Sequence, residues 1–392
     1  MKKNILFVID SLACGGAEKS LVTLLNLFDY TQYNVDLQLF GYEGEFMPFV
    51  PKQVTILPPL TNAEAWKDSR KNKMKAMLAR WRYSTMLRLK KVTSPNDAFQ
   101  LYWESYKKCY TITEKEYDTA IAYGQRLPTA YVATKVKAAR KLAWINIIPQ
   151  WQGKMRDYMM QFYDVFDHIV TVSDASFAAT SEMYPQYANK LTIVHDIVSL
   201  RFIQHLAEEE CEHAIDTSVP MLLTVARLDY VCKGYDIALE TAKILKERGV
   251  RFKWYALGKG AYYDQMKAYI AEHHLEDKFI LLGAIPNPYP YFKACTLYVQ
   301  TSRYEGYGIS IAEARLLNRP IVTTEFSAVY TQMVEGKNGI VTPQDPIAVA
   351  DAIEELLNHN DLYKSIVDYQ MHEKKGNEEE IEKIYQLMAS HC

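Results

Sequence analysis

The chain has 392 residues, of which 49% are apolar and 23% are charged, a composition typical of folded globular proteins. A chain of this length predicts two or three domains with sizeable apolar cores. The formal net charge of −2 argues against a protein that binds nucleic acid over its whole surface, so nucleic acid is not an expected partner.

The six cysteines are scattered along the chain, and no two form a Cys-x-x-Cys pair. This spacing argues against a zinc site or a disulfide framework and favours a reducing compartment. They are Cys14, Cys109, Cys211, Cys232, Cys295 and Cys392.

The chain begins with two lysines before an apolar run, but the run stops at Asp10. That is too short for the apolar region of a signal peptide, and a first buried strand explains it better. No stretch is long and apolar enough to span a bilayer. We therefore expect a cytoplasmic protein, with attachment to the inner face of the cell membrane as a hypothesis.

The first half of the chain alternates short apolar runs with segments of helical periodicity. The run Ile5 to Ile9 lacks alternation, which is typical of a strand buried on both faces. A turn at Gly15 and Gly16 precedes a predicted helix from Ala17 to Phe28. The further strands are predicted at Val35–Phe40, Val54–Leu57, Thr119–Tyr123, Leu142–Ile145 and Ile169–Val172.

The second half is more regular. Predicted strands are Met221–Ala226, Phe252–Leu257, Phe279–Leu282, Leu297–Thr301, Ile321–Thr324 and Ile340–Thr342, and predicted helices are Tyr235–Arg248, Tyr263–His274, Ile309–Leu317 and Pro346–Leu357. A proline-rich turn is expected after Leu282. Such alternation predicts parallel sheets with helices on both faces.

A polar, glutamate-rich stretch at 206–218 separates the two series. We therefore predict an α/β protein with two doubly wound, Rossmann-like domains, at 1–205 and 206–392. The first would carry a basic insertion at about 61–110, and the last helix would pack back on the first domain. Ligands bind beyond the carboxyl ends of strands in such sheets, so a cleft between the domains is the expected site.

The segment from Lys67 to Lys91 is strongly basic and has Asp68 as its single acidic residue. Met74, Leu78 and Trp81 fall on one face of a helix. One hypothesis is an interfacial helix that touches anionic lipid or a lipid-linked acceptor. The alternative is a solvated surface helix packed on its domain.

Residues 300–314 run from a strand through a glycine-containing loop into a helix. A helix N-terminus offers unpaired N–H groups to a diphosphate, and Gly306 and Gly308 allow close approach of the backbone. Glu305 lies in the loop and Glu313 lies about one turn into the helix. Since phosphate would repel them, these carboxylates should bind hydroxyl groups. A plain turn before an acidic helix start is the alternative.

Two cations follow the strand that ends at Ala226. Arg227 and Lys233 could together neutralise a diphosphate, which would replace a metal ion, although a pair of surface charges would look the same. Gly258 belongs to a glycine turn after the next strand. Gly15 and Gly16 could approach the same phosphates.

These segments together resemble the family 4 retaining glycosyltransferases, which have the GT-B fold. Residues 226–229 with Lys233 and Gly234 resemble the family's Gly-Arg-Leu…Lys-Gly element, and Gly258 with Gly260 its Gly-x-Gly turn. Glu305 and Glu313 match the Glu-x7-Glu motif. Weaker likenesses are at 171–174, 194–196 and 338–339.

The resemblance implies a role for each matching residue. Arg227 and Lys233 would hold the donor diphosphate, together with backbone amides from Gly306 through Tyr307 and Gly308 to Ile309. Glu305 would contact the transferred sugar and Glu313 the ribose. Gly15 and Gly16 would lie beside the donor and the acceptor, and Gly258 would lie beside the donor.

The chain departs from the family pattern at Asn146, where members often have a histidine near the sugar. An amide can hydrogen-bond but cannot titrate usefully, which leaves its catalytic role open. Asp196 replaces the usual asparagine with no clear consequence.

The resemblance therefore implies a retaining glycosyltransferase that moves a hexose or N-acetylhexosamine from a nucleotide diphosphate sugar, UDP in preference to GDP, with no metal or other cofactor. The expected acceptor is a glycan or a lipid-linked saccharide of a bacterial capsule, exopolysaccharide or lipopolysaccharide. The alternatives are a non-catalytic protein that binds a sugar nucleotide or a partner, and a phosphorylase or epimerase of similar fold.

Overall fold

The computed structural model describes residues 2–13, 15–41, 44–60, 70–89, 95–147 and 153–389. The chain divides into two compact units. The first comprises Met1–Ala13, Leu24–His195 and Glu379–Cys392, and the second comprises Cys14–Thr23 and Asp196–Glu378.

The first unit is built on a seven-stranded sheet in which every recorded pairing is parallel, in the order β3-β2-β1-β4-β5-β6-β7. Its elements are β1 (Lys3–Ile9), α1 (Gly16–Leu27), β2 (Tyr33–Leu39), β3 (Thr55–Ile56), α2 (Arg70–Leu89), α3 (Pro95–Tyr106), β4 (Tyr117–Ala122), α4 (Leu127–Lys135), β5 (Ala138–Ile145), α5 (Lys154–Tyr163), β6 (His168–Thr171), α6 (Asp174–Met183) and β7 (Leu191–Ile193). Residues 16–23, the first eight of the twelve residues of α1, group with the second unit.

The second unit contains a six-stranded parallel sheet in the order β10-β9-β8-β11-β12-β13. Its elements are α7 (Leu200–Leu206), β8 (Met221–Val225), α8 (Tyr235–Glu247), β9 (Lys253–Leu257), α9 (Tyr263–Glu272), β10 (Phe279–Gly283), α10 (Tyr289–Ala294), β11 (Leu297–Gln300), α11 (Ile309–Leu316), β12 (Ile321–Thr324), β13 (Gly339–Thr342), α12 (Pro346–Asn358) and α13 (Asn360–His372). The predicted class of two doubly wound α/β units is confirmed.

The sequence dictates these elements by burial and by capping. Ile5, Leu6 and Phe7 of β1 are fully buried, as expected of a strand covered on both faces. In α12, the Asp345 side chain accepts a hydrogen bond of 2.9 Å from the Ala348 N–H, and Pro346 occupies the first helical position. Both features favour a helix start at this point.

The units divide between His195 and Asp196, ten residues before the predicted boundary at 205/206. The difference arises from α7, which the sequence analysis did not predict. This helix packs against α10 and α11, and the Asn287 amide donates a hydrogen bond of 2.9 Å to the Leu206 carbonyl. These contacts group α7 with the second unit.

The last helix, α14 (Glu380–Ala389), belongs to the first unit. Tyr385 stacks on Tyr33 with ring centroids 5.4 Å apart, and its hydroxyl accepts a hydrogen bond of 2.8 Å from the Asp29 N–H. The Arg140 guanidinium donates to the Met388 carbonyl at 2.7 Å. Aromatic packing and hydrogen bonds therefore fix the helix on this unit.

Two further observations concern the whole described chain. Cys109, Cys211, Cys232 and Cys295 are free thiols, whereas Cys14 and Cys392 lie outside the described residues. Within the described ranges, none of the helices combines the length and apolar character needed to cross a bilayer.

Candidate active site

The predicted donor-site residues of the second unit gather at the carboxyl edge of its sheet. The central strands β8 and β11 are neighbours, and the order of strands reverses between them. Ligands of doubly wound sheets bind at such a reversal point. Arg227 follows β8, Gly258 follows β9 and Glu305 follows β11.

Lys233 and Glu305 form a close ion pair at this edge. The ammonium nitrogen lies 2.6 Å from Oε1 and 2.7 Å from Oε2 of the carboxylate. The Ser302 hydroxyl and the Gln300 amide also donate to Glu305 Oε1, at 2.7 Å and 3.0 Å. Because an ammonium group has three N–H donors, this pairing leaves Lys233 the capacity to bind phosphate.

The backbone around Lys233 is fixed by Gly234, which directly precedes α8 and lies in the left-handed region at φ 61°. A Cβ at this position would collide with the Thr301 carbonyl oxygen, and the Thr301 hydroxyl donates to the Lys233 carbonyl at 3.2 Å. The glycine therefore allows the loop after β8 to approach the loop after β11.

Arg227 is the most exposed cation of the site. Its guanidinium makes a long contact of 3.5 Å with Asp229, which leaves most of its donors accessible. It also lies near Glu18 in the first turn of α1. Burial raises the pKa of the Glu18 carboxyl, while a backbone hydrogen bond and the charge of Arg227 oppose that rise.

Helix α11 begins beside these side chains. Gly308 is its N-terminal flanking residue at φ 85°, a conformation that disfavours residues with a Cβ. The first hydrogen bonds of the helix are donated by the Ile311 and Ala312 N–H groups to the Gly308 carbonyl. The Ile309 and Ser310 N–H groups come before these donors, and a helix has no acceptor of its own for N–H groups at that position. The Ser310 hydroxyl donates to the Val225 carbonyl of β8 at 3.0 Å. Gly306 and Tyr307 lie in the preceding loop, and Gly306 is buried.

Glu313 is engaged in a buried ion pair that the sequence analysis did not predict. The Lys19 ammonium lies 2.7 Å from its Oε1, and the two side chains are 13% and 1% exposed. The Tyr289 hydroxyl donates to the same oxygen at 2.9 Å. Lys19 also lies over the Tyr289 ring, 5.0 Å from its centroid. Burial and the adjacent carboxylate raise the pKa of Tyr289 well above its ordinary value, so the phenol stays a donor.

At the glycine turns, the neighbouring atoms determine whether a residue with a Cβ would fit. A Cβ at Gly258 would collide with the Ala226 carbonyl oxygen, so the loops after β8 and β9 approach closely. A Cβ at Gly16 would lie 3.5 Å from Ile309 Cδ1, which is ordinary van der Waals contact. A Cβ at Gly15 would meet the Glu18 carboxylate. Contact of these three glycines with a donor stays a prediction.

Asn146 lies in the first unit, directly after β5. Its amide nitrogen donates to the Tyr123 carbonyl at 3.1 Å, and Tyr123 stacks on Trp144 with ring centroids 5.0 Å apart. Its side-chain oxygen is buried and has no hydrogen-bond partner in the described part of the chain. The structure thus explains how Asn146 is held, while its catalytic role stays a prediction.

Sequence reasoning missed Glu18, Lys19 and Tyr289. The Gly15-Gly16 turn was predicted to approach the donor phosphates. Charged residues in the first turn of the following helix could therefore have been expected near the same phosphates. Tyr289 carried no usable pattern because its short helix lies among three prolines. Metal independence stays a prediction. The described residues contain no cluster of three or more His, Cys, Asp or Glu that could hold a metal ion.

The two parallel sheets define the fold of the GT-B glycosyltransferases. Structures similar over their whole length include Anabaena Alr3699/HepE in complex with UDP-glucose, with a TM-score of 0.72, 14% identity and coverage of 99% of this chain and 100% of that chain. A Staphylococcus aureus TarM mutant in complex with Fondaparinux, alpha-GlcNAc-glycerol and UDP has a TM-score of 0.71, 16% identity and the same coverage.

Residues 207–372 match the sequence model of the glycosyl transferases group 1 family. A curated relative is the poly(ribitol-phosphate) alpha-N-acetylglucosaminyltransferase of S. aureus, 30% identical over 132 residues, which are 33% of this chain. The matched parts span 27%, 39% and 41% of the first three curated relatives. The family match therefore lies within the second unit, while the likeness in fold extends over both units.

Proposed function

We propose that the protein is a retaining glycosyltransferase that moves a hexose or N-acetylhexosamine from a UDP-sugar to a glycan or lipid-linked saccharide, without a metal ion. The observation that carries this proposal is the arrangement at the carboxyl edge of the second sheet. There Arg227, the Lys233–Glu305 pair and the start of α11 follow neighbouring strands. Together they supply fixed positive charge and N–H donors for a diphosphate.

The choice of UDP and of the acceptor class rests on the relatives. The two solved structures described above are complexes that contain UDP or UDP-glucose. A Campylobacter jejuni relative, 30% identical over 136 residues, is named as an N-acetylgalactosaminyltransferase acting on a diphospho-undecaprenol-linked sugar. Other relatives are named for amylovoran and lipopolysaccharide core biosynthesis. These names favour an envelope or capsule saccharide as the acceptor.

The proposed chemistry uses the residues in distinct roles. The bond between the anomeric carbon and the β-phosphate oxygen breaks, and Arg227 and Lys233 stabilise the charge that develops on the leaving diphosphate. Glu305, held by Ser302 and Gln300, would bind sugar hydroxyls. The acceptor oxygen bonds to the anomeric carbon on the face from which the phosphate departs. Its proton passes to a phosphate oxygen, so no titrating side chain is required at position 146.

A non-catalytic protein that binds a sugar nucleotide or a partner is the second candidate. The observation that favours it is Asn146, which cannot act as an acid or base and whose amide nitrogen is committed to the Tyr123 carbonyl. The two candidates differ in one property, namely the release of free UDP.

The test is incubation of the protein with UDP- and GDP-sugars in EDTA, with and without saccharide acceptors that are free or linked to a prenyl diphosphate. We expect UDP release to depend on the acceptor, and the product to keep the donor's anomeric configuration in NMR spectra. Donor binding in a thermal-shift assay without UDP release for any acceptor would support the non-catalytic candidate. Sugar isomers formed without acceptor, or release that requires free phosphate, would identify an epimerase or a phosphorylase.

A further inference from the structure

Helix α2 of the first unit has two apolar faces, of which one is covered. Ala79 is buried in the core of the unit, and Tyr83 makes edge-on contacts with Tyr102 and Tyr106, with ring centroids 5.7 Å and 5.9 Å apart. Positions 79 and 83 are one turn apart, so they lie on the same side of the helix. The helix is therefore attached to its unit through this side.

The other apolar face is open to solvent. Met74, Met77, Leu78 and Trp81 are 56%, 66%, 56% and 68% exposed. Their spacing of i, i+3, i+4 and i+7 places them in one stripe, opposite Ala79 and Tyr83. The sequence analysis weighed an interfacial helix against a solvated surface helix packed on its domain, and an exposed stripe opposite an attached side fits both.

Cations flank the stripe on both sides. With about 100° between successive residues of a helix, Lys73 and Arg80 lie along one border, and Lys75 and Arg82 lie along the other. All four side chains are exposed. The helix from Arg70 to Leu89 contains seven lysines and arginines and no acidic residue. The more distant predicted members of the basic segment, at 67–69 and 90–91, lie outside the described residues.

We propose that this stripe and its flanking cations dock the first unit on an anionic lipid bilayer, with α2 lying in the plane of the surface. The apolar side chains enter the boundary between headgroups and acyl chains, and the flanking cations reach lipid phosphates. Trp81 sits at the depth that tryptophan prefers at membrane interfaces. A nucleic acid or another soluble polyanion would pair with the cations but would leave the Met–Leu–Trp stripe in water. This inference does not depend on the proposed reaction.

The test is flotation of the full chain with vesicles of phosphatidylcholine alone or of phosphatidylcholine with phosphatidylglycerol, neither containing any saccharide lipid. One variant neutralises the border cations, and a second makes the stripe polar. A control removes the same number of exposed lysines elsewhere. The three variants are Lys73→Gln/Lys75→Gln/Arg80→Gln/Arg82→Gln, Met77→Ser/Trp81→Ser and Lys52→Gln/Lys267→Gln/Lys337→Gln/Lys364→Gln.

We expect the protein to float with the anionic vesicles alone and to be released by high salt, because exposed charges are screened. At about 1 kcal/mol per cation, the first variant should lower the partition coefficient by about a hundredfold or more. The polar-stripe variant should also bind more weakly, and the control should behave as the unmodified protein. Trp81 emission should shift to the blue on anionic vesicles, a change that Trp81→Phe should abolish.

Several outcomes would overturn the proposal. These are absence of flotation, equal losses in the control variant, or unchanged binding of the Met77→Ser/Trp81→Ser variant at a preserved thermal midpoint. Retention of the protein on heparin without any flotation would assign the basic helix to a soluble polyanion instead.

Discussion

Replacement of Lys233 by alanine is expected to lower kcat for sugar transfer by about a hundredfold or more, since each preorganised charge at a leaving group supplies several kcal/mol of transition-state stabilisation. The substitution removes one of two side-chain cations proposed for the diphosphate. It also removes the partner that holds both oxygens of Glu305. The measurement is steady-state transfer with saturating donor and acceptor.

Two control variants distinguish the loss of the Lys233 charge from damage to the fold. Lys233→Arg keeps the cation and should retain more activity than Lys233→Ala, although the geometry of the two groups differs. Lys243→Ala removes a lysine of the same unit that pairs with Glu240 within α8, and it should leave kcat unchanged. Near-full activity of Lys233→Ala with the right pair of substrates would show that Lys233 does not act on the leaving group.

Replacement of Lys19 by methionine is expected to destabilise the protein by about 2–4 kcal/mol. The change leaves the Glu313 carboxylate buried with Tyr289 as its remaining recorded partner, and an unpaired buried charge is costly. The expected loss is below the full range for buried pairs because Lys19 keeps 13% of its side chain exposed. Urea unfolding followed by fluorescence measures the effect.

A second substitution should rescue the first. In the Lys19→Met/Glu313→Gln variant the buried charge is gone and the Tyr289 hydroxyl still has an amide oxygen to bind, so most of the lost stability should return. If the double variant is as unstable as the sum of the two single variants, the ion pair is not what stabilises this contact. The surface pair Lys293–Glu208, with both side chains largely exposed, serves as a control and should contribute less than about 1 kcal/mol.

The sequence predicted the sheet-forming parts of the second unit well, because they obey strong local rules. Strand β9 is a buried apolar run and α8 has an apolar stripe at helical spacing, and both appear within one residue of their predicted ends. The placement of Arg227 and Glu305 followed directly, since residues after parallel strands meet at one edge of the sheet.

Other features depend on tertiary contacts that no local pattern encodes. The prolines at 286, 288 and 290 predicted a turn, yet Pro290 occupies the start of the short helix α10, a position where its missing N–H costs nothing. That helix carries Tyr289 to Glu313. The partner of Glu313, Lys19, is 294 residues away in the chain, and side-chain pairing over that separation cannot be deduced from periodicity.

Helix α2 also combines a feature that the local sequence predicts with one that depends on tertiary contacts. The spacing of Met74, Leu78 and Trp81 predicted an apolar face, but spacing alone cannot tell whether a neighbouring element covers it. The structure answers that question because Ala79 and Tyr83 make the contacts with the unit and the opposite stripe stays exposed.

The central claim is that side-chain cations and a helix start, rather than a divalent ion, hold the nucleotide diphosphate. Calorimetric titration of UDP into the protein in EDTA, repeated with magnesium, tests it most directly. We predict equal affinity in the two titrations, and binding weakened by about tenfold or more when Arg227 or Lys233 is replaced by alanine. UDP binding that appears only with magnesium, or that survives both substitutions unchanged, would contradict the claim.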